Sequence, residues 1–321
     1  MNNQLGAKTT ADEVLSDLDL RGKRYLITGV SSGIGLETAR SLVAHGASVV
    51  GTVRDLASGE SATSQIRKAA LEGKGSLELI AVDLAALQSV RTGADKLLSV
   101  GKHFDGIIAN AGVMATPFAR TVDGYELQFA TNYLGHFALI QRIESLIAEN
   151  GRVIVLSSQA HRVADIDLDD MNFEHQDYDP FVAYGRSKTA LSLFAAELDR
   201  RYLGRGIRAA SVMPGNSLTD LPRHFSQEEL QGLFEVVGKA RDEAGLPPAE
   251  LKSIAQAAAT SVWAAVVADA GEIGGHYLED CAVAPVNDSP IPFADGVRSY
   301  ALDPANAKRL WEKSETLTNV L

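Results

Sequence analysis

Short apolar runs rich in β-branched residues alternate along this 321-residue chain with longer segments whose apolar side chains recur at helical spacing. The runs predict strands at 24–28, 48–53, 77–82, 105–109, 152–156, 207–212 and 276–278. The segments between them predict helices at 33–45, 58–72, 87–100, 126–149, 184–202, 227–244 and 251–267. Because repeated strand–helix units pair their strands in parallel, we expect an α/β fold with a doubly wound parallel sheet and helices on both faces. Ligands of such sheets bind at the carboxyl ends of the strands.

A glycine-rich loop joins the first predicted strand to the first predicted helix, in the order Thr28, Gly29, Val30, Ser31, Ser32, Gly33, Ile34, Gly35. Glycines at these positions allow a tight turn and let backbone N–H groups approach a pyrophosphate, at which the next helix points its positive end. A turn without a ligand is the alternative interpretation. The flanking strand and helix favour nucleotide binding.

Tyr184 is the one tyrosine among eight that has a lysine, Lys188, four residues later. On a helix, this spacing places both side chains on one face. A phenol has a pKa of about 10 and is a poor base at neutral pH, so a neighbouring ammonium that stabilises the phenolate would lower that pKa. The pattern also arises by chance. Support comes from Ser157 and Ser158 at the end of strand 152–156, where a serine can hold a substrate oxygen, although paired serines also cap turns.

Taken together, these motifs resemble the short-chain dehydrogenase/reductase family, over about residues 18–278. The resemblance rests on the T-G-x-x-x-G-x-G loop from Thr28, the pair Asp83–Leu84, the N-A-G of Asn110, Ala111 and Gly112, Asn132, the two serines, the Y-x-x-x-K of Tyr184 and Lys188, and the P-G of Pro214 and Gly215. Residues 132–137, the pair Ala160–His161 and the long gap between Ser158 and Tyr184 resemble the branch of retinol dehydrogenases and WW-domain oxidoreductases.

The resemblance implies four catalytic residues. Ser158 would polarise the substrate oxygen, and Tyr184 would act as general acid and base. Lys188 would bind the ribose hydroxyls and tune Tyr184, while Asn132 would hold a water in the proton relay. The choice of Ser158 over Ser157 rests on the motif alignment.

The same resemblance implies a cofactor site, in which Asp83 meets the adenine amino group and Thr219 the nicotinamide carboxamide. The full predicted set is Thr28, Gly29, Ser31, Ser32, Gly33, Ile34, Gly35, Arg54, Asp83, Leu84, Asn110, Ala111, Gly112, Tyr184, Lys188, Pro214, Gly215 and Thr219. Taken alone, Asp83 could cap a helix and Asn110 to Gly112 could form a turn.

The end of the second strand predicts which cofactor is used. Val53 stands where an NAD-selecting aspartate would stand, and Arg54 beside it would attract a 2′-phosphate. Asp55 could turn back toward the ribose, or it could cap the following helix, which we favour. We therefore expect NADP(H) to be preferred over NAD(H).

The overall charge and composition exclude several classes of partner. A formal net charge of −11 and a pI of about 5.1 disfavour binding to nucleic acid or an anionic membrane. The sequence has neither the order of a signal peptide nor an apolar run of roughly 18 residues, so we expect a cytoplasmic protein. The single cysteine, Cys281, excludes an internal disulfide, and we expect no metal site. Association into a homo-oligomer stays open.

We expect residues 1–20 to be an N-terminal extension and 21–321 to be one dinucleotide-binding oxidoreductase domain of Rossmann type, with a substrate lid at about 214–250. The acidic segment 160–180 is interpreted as a solvated loop. The predicted activity is NADP(H)-dependent hydride transfer to or from a carbonyl or alcohol of a small, apolar substrate. An NADP(H)-binding sensor without turnover and an epimerase or dehydratase of the family's extended branch are the alternatives.

Overall fold

Within the residues that the computed structural model describes (5–217, 227–248, 250–291 and 294–319), eight strands form one sheet. The strands are β1 (Arg24–Thr28), β2 (Ser48–Val53), β3 (Ser76–Ala81), β4 (Phe104–Ala109), β5 (Ile147–Leu156), β6 (Arg208–Met213), β7 (Tyr277–Glu279) and β8 (Ala282–Val283). Their order is β3-β2-β1-β4-β5-β6-β7-β8, and all pairs are parallel except β7 with β8. The predicted doubly wound parallel sheet is confirmed. Because the strand order reverses at β1, a crevice opens at the carboxyl ends of β1 and β4.

Helices cover both faces of this sheet. They are α1 (Ala11–Leu15), α2 (Gly33–Ala44), α3 (Leu56–Ala62), α4 (Ser64–Gly73), α5 (Leu87–Val100), α6 (Leu127–Phe129), α7 (Gly135–Arg142), α8 (Pro180–Tyr202), α9 (Gln227–Glu243), α10 (Ile254–Val262), α11 (Ala270–Ile273) and α12 (Pro304–Thr318). The apolar centre of β1 is buried on both faces of the sheet: Leu26 packs into the core on one face, while Tyr25 and Ile27 pack into the core on the other. A strand that is buried on both faces has no position for a solvated side chain.

The largest error of the sequence prediction is the helix at 126–149. The structure has α6, a π-helical turn at Ala130–Leu134 and α7, and the helix ends at Arg142. Ile147 then pairs with Phe104 as part of β5. The apolar residues continue at helical spacing past the true end, so the sheet pairing decides the boundary rather than the local pattern. The predicted helix at 58–72 is likewise two helices, α3 and α4, which meet at Thr63.

The sequence analysis did not identify the C-terminal helix α12. Asp303 caps its first turn by accepting a hydrogen bond from the backbone N–H of Asn306 at 2.7 Å. Trp311 of α12 is buried against Phe137 and Phe194, with ring centroids 5.1 and 5.7 Å away. This helix therefore completes the core on the face of the sheet where α8 lies.

Helix α1 lies within the predicted N-terminal extension. Ala11, Val14 and Leu15 are buried in the core on the α2 side of the sheet. None of the helices that the structure describes is long and apolar enough to cross a membrane.

Candidate active site

A cavity of about 1130 Å³ opens along the carboxyl ends of β1, β4, β5 and β6. At its nucleotide end lie the glycine loop after β1 and the ends of β2 and β3. At its other end lie Ser158, Tyr184 and Lys188. The topology thus brings the motifs from distant parts of the sequence to one crevice.

The glycine loop has the backbone geometry that nucleotide binding requires. Gly29 has a φ of +73° and Gly33 a φ of +57°, which other residues rarely adopt. Ser32 precedes α2 without making a side-chain capping bond, and the first turn of α2 has no acidic residue. The N–H groups and the positive end of this helix therefore face the cavity without a competing anion of their own.

Thr28 and Gly35 belong to the predicted cofactor set, but neither lines the cavity. A Cβ at Gly35 would lie 2.3 Å from both the Gly29 carbonyl oxygen and the Asn110 Nδ2, so this glycine permits close packing. Thr28 is fully buried, and its Oγ1 accepts hydrogen bonds from the backbone N–H groups of Asn110 and Ala111 at 2.9 and 3.0 Å. These residues support the cofactor side of the cleft from behind.

At the end of β2, Arg54 is exposed on the cavity wall, which the buried Val53 also borders, while Asp55 does not line the cavity. The Asp55 carboxylate accepts a hydrogen bond from the backbone N–H of Ser58 at 2.8 Å and caps α3. Val53 is 3% exposed and packs on Gly59, where a Cβ would lie 2.8 Å from its Cγ1. Arg54 is consequently the charged side chain of this strand end that faces the cavity.

Asp83, Asn110 and Gly112 line the cavity at successive strand ends, as the sequence predicted. The Asp83 carboxylate also accepts a hydrogen bond from the backbone N–H of Ala85 at 3.0 Å, so it stabilises a turn as well. The remaining predicted cofactor residues on the wall are Gly29, Ser31, Ser32, Gly33, Ile34, Leu84, Ala111, Pro214 and Gly215. Thr219 lies outside the described residues.

Tyr184 and Lys188 lie one turn apart on α8, on the face that meets the cavity. Asp179 fixes the start of this helix by accepting from the backbone N–H groups of Phe181 and Val182. The Lys188 Nζ donates to the Leu156 carbonyl oxygen at 2.7 Å and lies 5.5 Å from the centroid of the Tyr184 ring. The lysine is therefore held against the end of β5.

The two serines after β5 have different surroundings. The Ser157 Oγ donates to the Lys188 carbonyl at 2.9 Å and lies 3.0 Å from the Ser192 Oγ, inside the packing of α8. Ser158 and Tyr184 both line the cavity wall, and the Ser158 hydroxyl is among the groups that shift the pKa of Tyr184. The geometry therefore supports the choice of Ser158 as the residue that meets a substrate oxygen.

Burial dominates the ionisation of the catalytic pair. It raises the pKa of Tyr184 to about 12, and the hydrogen bond with Ser158 opposes this shift. Burial also lowers the pKa of Lys188 to about 7. We expected the ammonium of Lys188 to lower the pKa of Tyr184. The pKa of Tyr184 is raised, because desolvation penalises the phenolate. At neutral pH, Tyr184 is a protonated phenol.

Asn132 lies in the π-helical turn Ala130–Leu134, and its side chain does not line the cavity. Its Oδ1 accepts from the Val113 N–H at 2.8 Å, and its Nδ2 donates to the Val113 carbonyl and the Ser187 Oγ, each at 2.9 Å. The side chain is thus occupied in holding the chain after β4. A relay water at Asn132 would have to use its backbone carbonyl.

The substrate end of the cavity is mainly apolar, and the sequence analysis missed most of it. Its apolar lining includes Met114, Pro117, Phe118, Val163, Phe181, Met213 and Val237. The segment 113–119 directly follows the N-A-G motif at a strand's carboxyl end, which is the signal that could have identified it.

Comparison with known proteins identifies sequence relatives over nearly the whole chain. The family model described as short chain dehydrogenase matches residues 23–230. A short-chain dehydrogenase/reductase of Penicillium roqueforti is 38% identical over 98% of this chain and 91% of its own. A WW domain-containing oxidoreductase of Drosophila melanogaster is 36% identical over 96% of this chain and 71% of its own. Human retinol dehydrogenase 14 is 33% identical over 94% of this chain and 88% of its own.

Solved structures give the same architecture. An uncharacterised protein of Mycobacterium paratuberculosis is 32% identical and has a TM-score of 0.72, with 95% of this chain and 97% of the other covered. The angucycline C-6 ketoreductase LanV with bound NADP is 25% identical and has a TM-score of 0.62, with 82% of this chain and 95% of the other covered.

Proposed function

Because this chain belongs to the short-chain dehydrogenase/reductase family, in the branch that includes the retinol dehydrogenases, we propose that it is an NADP(H)-dependent enzyme that reduces a carbonyl, or oxidises the matching alcohol, of a small apolar substrate. The observation that carries the proposal is that Ser158, Tyr184 and Lys188 line the same cavity, with Lys188 one turn from Tyr184 on the same helix.

The residues at the nucleotide end fit a dinucleotide. Gly29 and Gly33 provide the turn, and the N-terminus of α2 provides N–H donors for a pyrophosphate. Asp83 and Asn110 to Gly112 would hold the adenosine and the centre of the molecule, with Lys188 at the ribose. When bound, NADPH supplies the hydride.

Ser158 and Tyr184 would activate the substrate from the opposite side. Both hydroxyls would donate hydrogen bonds to the carbonyl oxygen, which builds up negative charge in the transition state. The Tyr184 Oη would then deliver its proton to that oxygen. Since the pKa of Tyr184 is raised to about 12, the phenol is protonated at neutral pH and holds the proton that this step requires.

Arg54 supports the choice of NADP(H). Asp55 is turned away into the cap of α3, and Val53 is buried, so no carboxylate from these two residues would repel a 2′-phosphate. A guanidinium forms strong paired hydrogen bonds with phosphate. The bound NADP of LanV is consistent with this assignment.

The cavity supports an apolar, uncharged substrate. Its volume of about 1130 Å³ exceeds the roughly 300–1,000 Å³ of a typical single-ligand pocket, so a cofactor and a small substrate fit together. Among the described lining residues, Arg54 and Lys188 are the only cations, and both belong to the cofactor side. A carboxylate substrate would therefore lack a partner at the apolar end.

The test is a panel of ketones, aldehydes and alcohols, followed by the change in NADPH absorbance. Tyr184→Phe should lower turnover by at least about a hundredfold, while NADPH binding and the denaturation midpoint stay near those of the wild type. Tyr202→Phe is the matched control, because Tyr202 lies on the same helix but bonds Gln141 and Glu144 outside the cavity. Near-normal turnover in Tyr184→Phe would refute the mechanism. Tight NADPH binding without turnover on any compound would favour the cofactor-sensing alternative.

A further inference from the structure

His136 on α7 is fully buried and lies between the nucleotide and catalytic ends of the cleft. Neither of the residue sets described above includes it. Both nitrogens of its ring have a partner: Nε2 lies 2.8 Å from the Thr28 Oγ1, and Nδ1 lies 2.7 Å from the carbonyl oxygen of Asn132.

The surroundings of Thr28 decide which ring nitrogen carries the proton. The Thr28 Oγ1 already accepts from the backbone N–H groups of Asn110 and Ala111, so its two lone pairs are used. Its own O–H is left to donate to the His136 Nε2. The imidazole therefore carries its proton on Nδ1 and donates to the Asn132 carbonyl. Burial lowers the pKa of His136 to about 4, in agreement with a neutral ring at neutral pH.

This ring adds a direct link between two hydrogen-bonded groups. On one side, Thr28 holds the turn after β4 that lines the cofactor side. On the other side, Asn132 donates to the Ser187 Oγ at 2.9 Å, and Ser187 donates to the Tyr184 carbonyl oxygen at 2.7 Å. A series of hydrogen bonds, which passes through Asn132 from its backbone carbonyl to its side-chain amide, thus runs from Thr28 through His136 to the turn of α8 that carries the catalytic tyrosine.

The acceptor of the His136 bond, the Asn132 carbonyl oxygen, lies in the π-helical turn. Backbone hydrogen bonds in such a turn join residues that are five positions apart, where a regular helix joins residues four apart. The His136 side chain supplies a donor for this acceptor from within the same helix. An imidazole that also bonds Thr28 fixes the direction of this carbonyl relative to the cofactor loop.

We propose that His136 is a positioning residue, whose neutral Nδ1–H tautomer holds the Asn132 carbonyl in register with the cofactor loop. The proposal rests on the proposed function, because it assigns His136 to the same cleft. It makes two separable predictions, one for each ring nitrogen.

Two substitutions separate the two bonds. His136→Asn keeps an amide N–H near the position of Nδ1 and loses the contact with Thr28. His136→Gln keeps a polar atom near the position of Nε2 and loses the contact with the Asn132 carbonyl. Loss of one partner from a buried pair is expected to cost about tenfold in the property that depends on it.

The first readout is the Kd for NADPH, measured by fluorescence titration without a substrate. It should weaken about tenfold in His136→Asn and stay within about threefold of the wild type in His136→Gln. The second readout is hydrogen exchange of peptides that cover 130–137 and 180–190. NADPH should slow this exchange in the wild type and in His136→Asn, but much less in His136→Gln. With an active substrate, kcat should fall about tenfold in His136→Gln alone.

His45 offers a matched control, because its Nδ1 also lies 2.8 Å from the carbonyl oxygen four residues earlier, at Ser41, and it does not line the cavity. His45→Asn and His45→Gln should leave the Kd, kcat and exchange pattern unchanged. A merely structural role of His136 would lower the denaturation midpoint and the exchange protection and raise the Kd, in parallel in both His136 variants, and this result would overturn the proposal.

A measurement on the unmodified protein avoids dependence on variants. The 15N chemical shifts of the histidine rings report the tautomer directly, and a buried histidine with its proton on Nδ1 is expected for His136. A ring protonated on Nε2 would refute the proposal. Failure of the proposed function would look different: the wild type would bind NADPH without turnover, while the Kd and exchange patterns of the variants would still separate.

Discussion

Arg54 gives the sharpest test of cofactor choice. We predict that Arg54→Leu lowers kcat/KM for NADPH and leaves kcat/KM for NADH almost unchanged. The reason is that the guanidinium lies exposed on the cavity wall, while the neighbouring Asp55 carboxylate is committed to the cap of α3. The 2′-phosphate, which NADH lacks, is the one group that distinguishes the two cofactors.

The structure sets the size of this effect. A charge-assisted contact with phosphate is worth about 1.5–3 kcal/mol, or about tenfold to a hundredfold in affinity. Because Arg54 is exposed and water screens its charge, we expect the lower end, about tenfold. The Arg54 effect should also shrink as salt is added.

An aspartate at Val53 would be a poor route to the reverse preference. Val53 is 3% exposed and its methyl groups contact Gly59, so a carboxylate there would be buried against apolar atoms. The double change Val53→Asp with Arg54→Leu, which the sequence alignment suggests, is expected to lower the free energy of unfolding as well as to change selectivity.

The assay compares kcat/KM for NADPH and NADH in the wild type, in Arg54→Leu and in Arg309→Leu. Arg309 is exposed on α12 and does not line the cavity, so its loss controls for the removal of one positive charge. A wild type that favours NADH, or an equal decrease for both cofactors in Arg54→Leu, would refute the assignment of Arg54 to the 2′-phosphate.

Three further predictions follow from the site and the core. Lys188→Ala should raise KM for NADPH and lower kcat, since the same side chain would serve ribose and tyrosine; a change in stability alone would contradict its role. Hydrogen exchange in α9 should slow when NADPH and substrate bind, because Val237 contributes to the cavity wall and α9 belongs to the predicted lid; equal exchange in both states would count against a lid. The denaturation midpoint should fall as the pH decreases from about 6.5 toward 4. Burial lowers the pKa of both His136 and His161 to about 4. The positive charge of Lys188 adds to the shift of His136, and those of Arg162 and Arg298 add to the shift of His161. The unfolded chain therefore binds more protons than the folded protein in this pH range. Glu279, whose pKa burial raises to about 7, acts in the opposite sense, so Glu279→Gln should make the fall steeper; a flat profile in that variant would refute the reasoning.

Sequence reasoning succeeded where one local pattern determines one element. Strands β1 and β2 and helix α5 have the predicted bounds, because a short run between turns, or a periodic segment between caps, leaves few alternatives. It failed at 126–149, where residues with helical spacing turn out to belong to β5 through the pairing of Ile147 with Phe104. A contact over that distance along the chain leaves no local signal.

In the candidate site, too, local motifs could be predicted from the sequence, whereas contacts between distant residues could not. The motif residues that line the cavity could be named from the sequence, because glycines, serines and the Tyr184–Lys188 pair have recognisable spacing. The distinction between Ser157 and Ser158 needed the packing of α8, which occupies the Ser157 hydroxyl. The position of His136 between Thr28 and Asn132 could be found only from the three-dimensional distances, since Thr28 lies more than a hundred positions before His136 in the sequence.

The ribosome synthesises the residues of the cleft before the C-terminal helix α12 that packs against the core. Every described residue on the cavity wall precedes Pro304, where α12 begins, so synthesis delivers the whole set before the helix on which the core depends. Until α12 arrives, Phe137 and Phe194 lack Trp311, and Tyr133, the neighbour of Asn132, lacks its 2.7 Å hydrogen bond to Ser314. A nascent chain halted before α12 would thus hold the residues of the cleft but expose an aromatic surface beneath it, which is the kind of surface that chaperones bind and that drives aggregation.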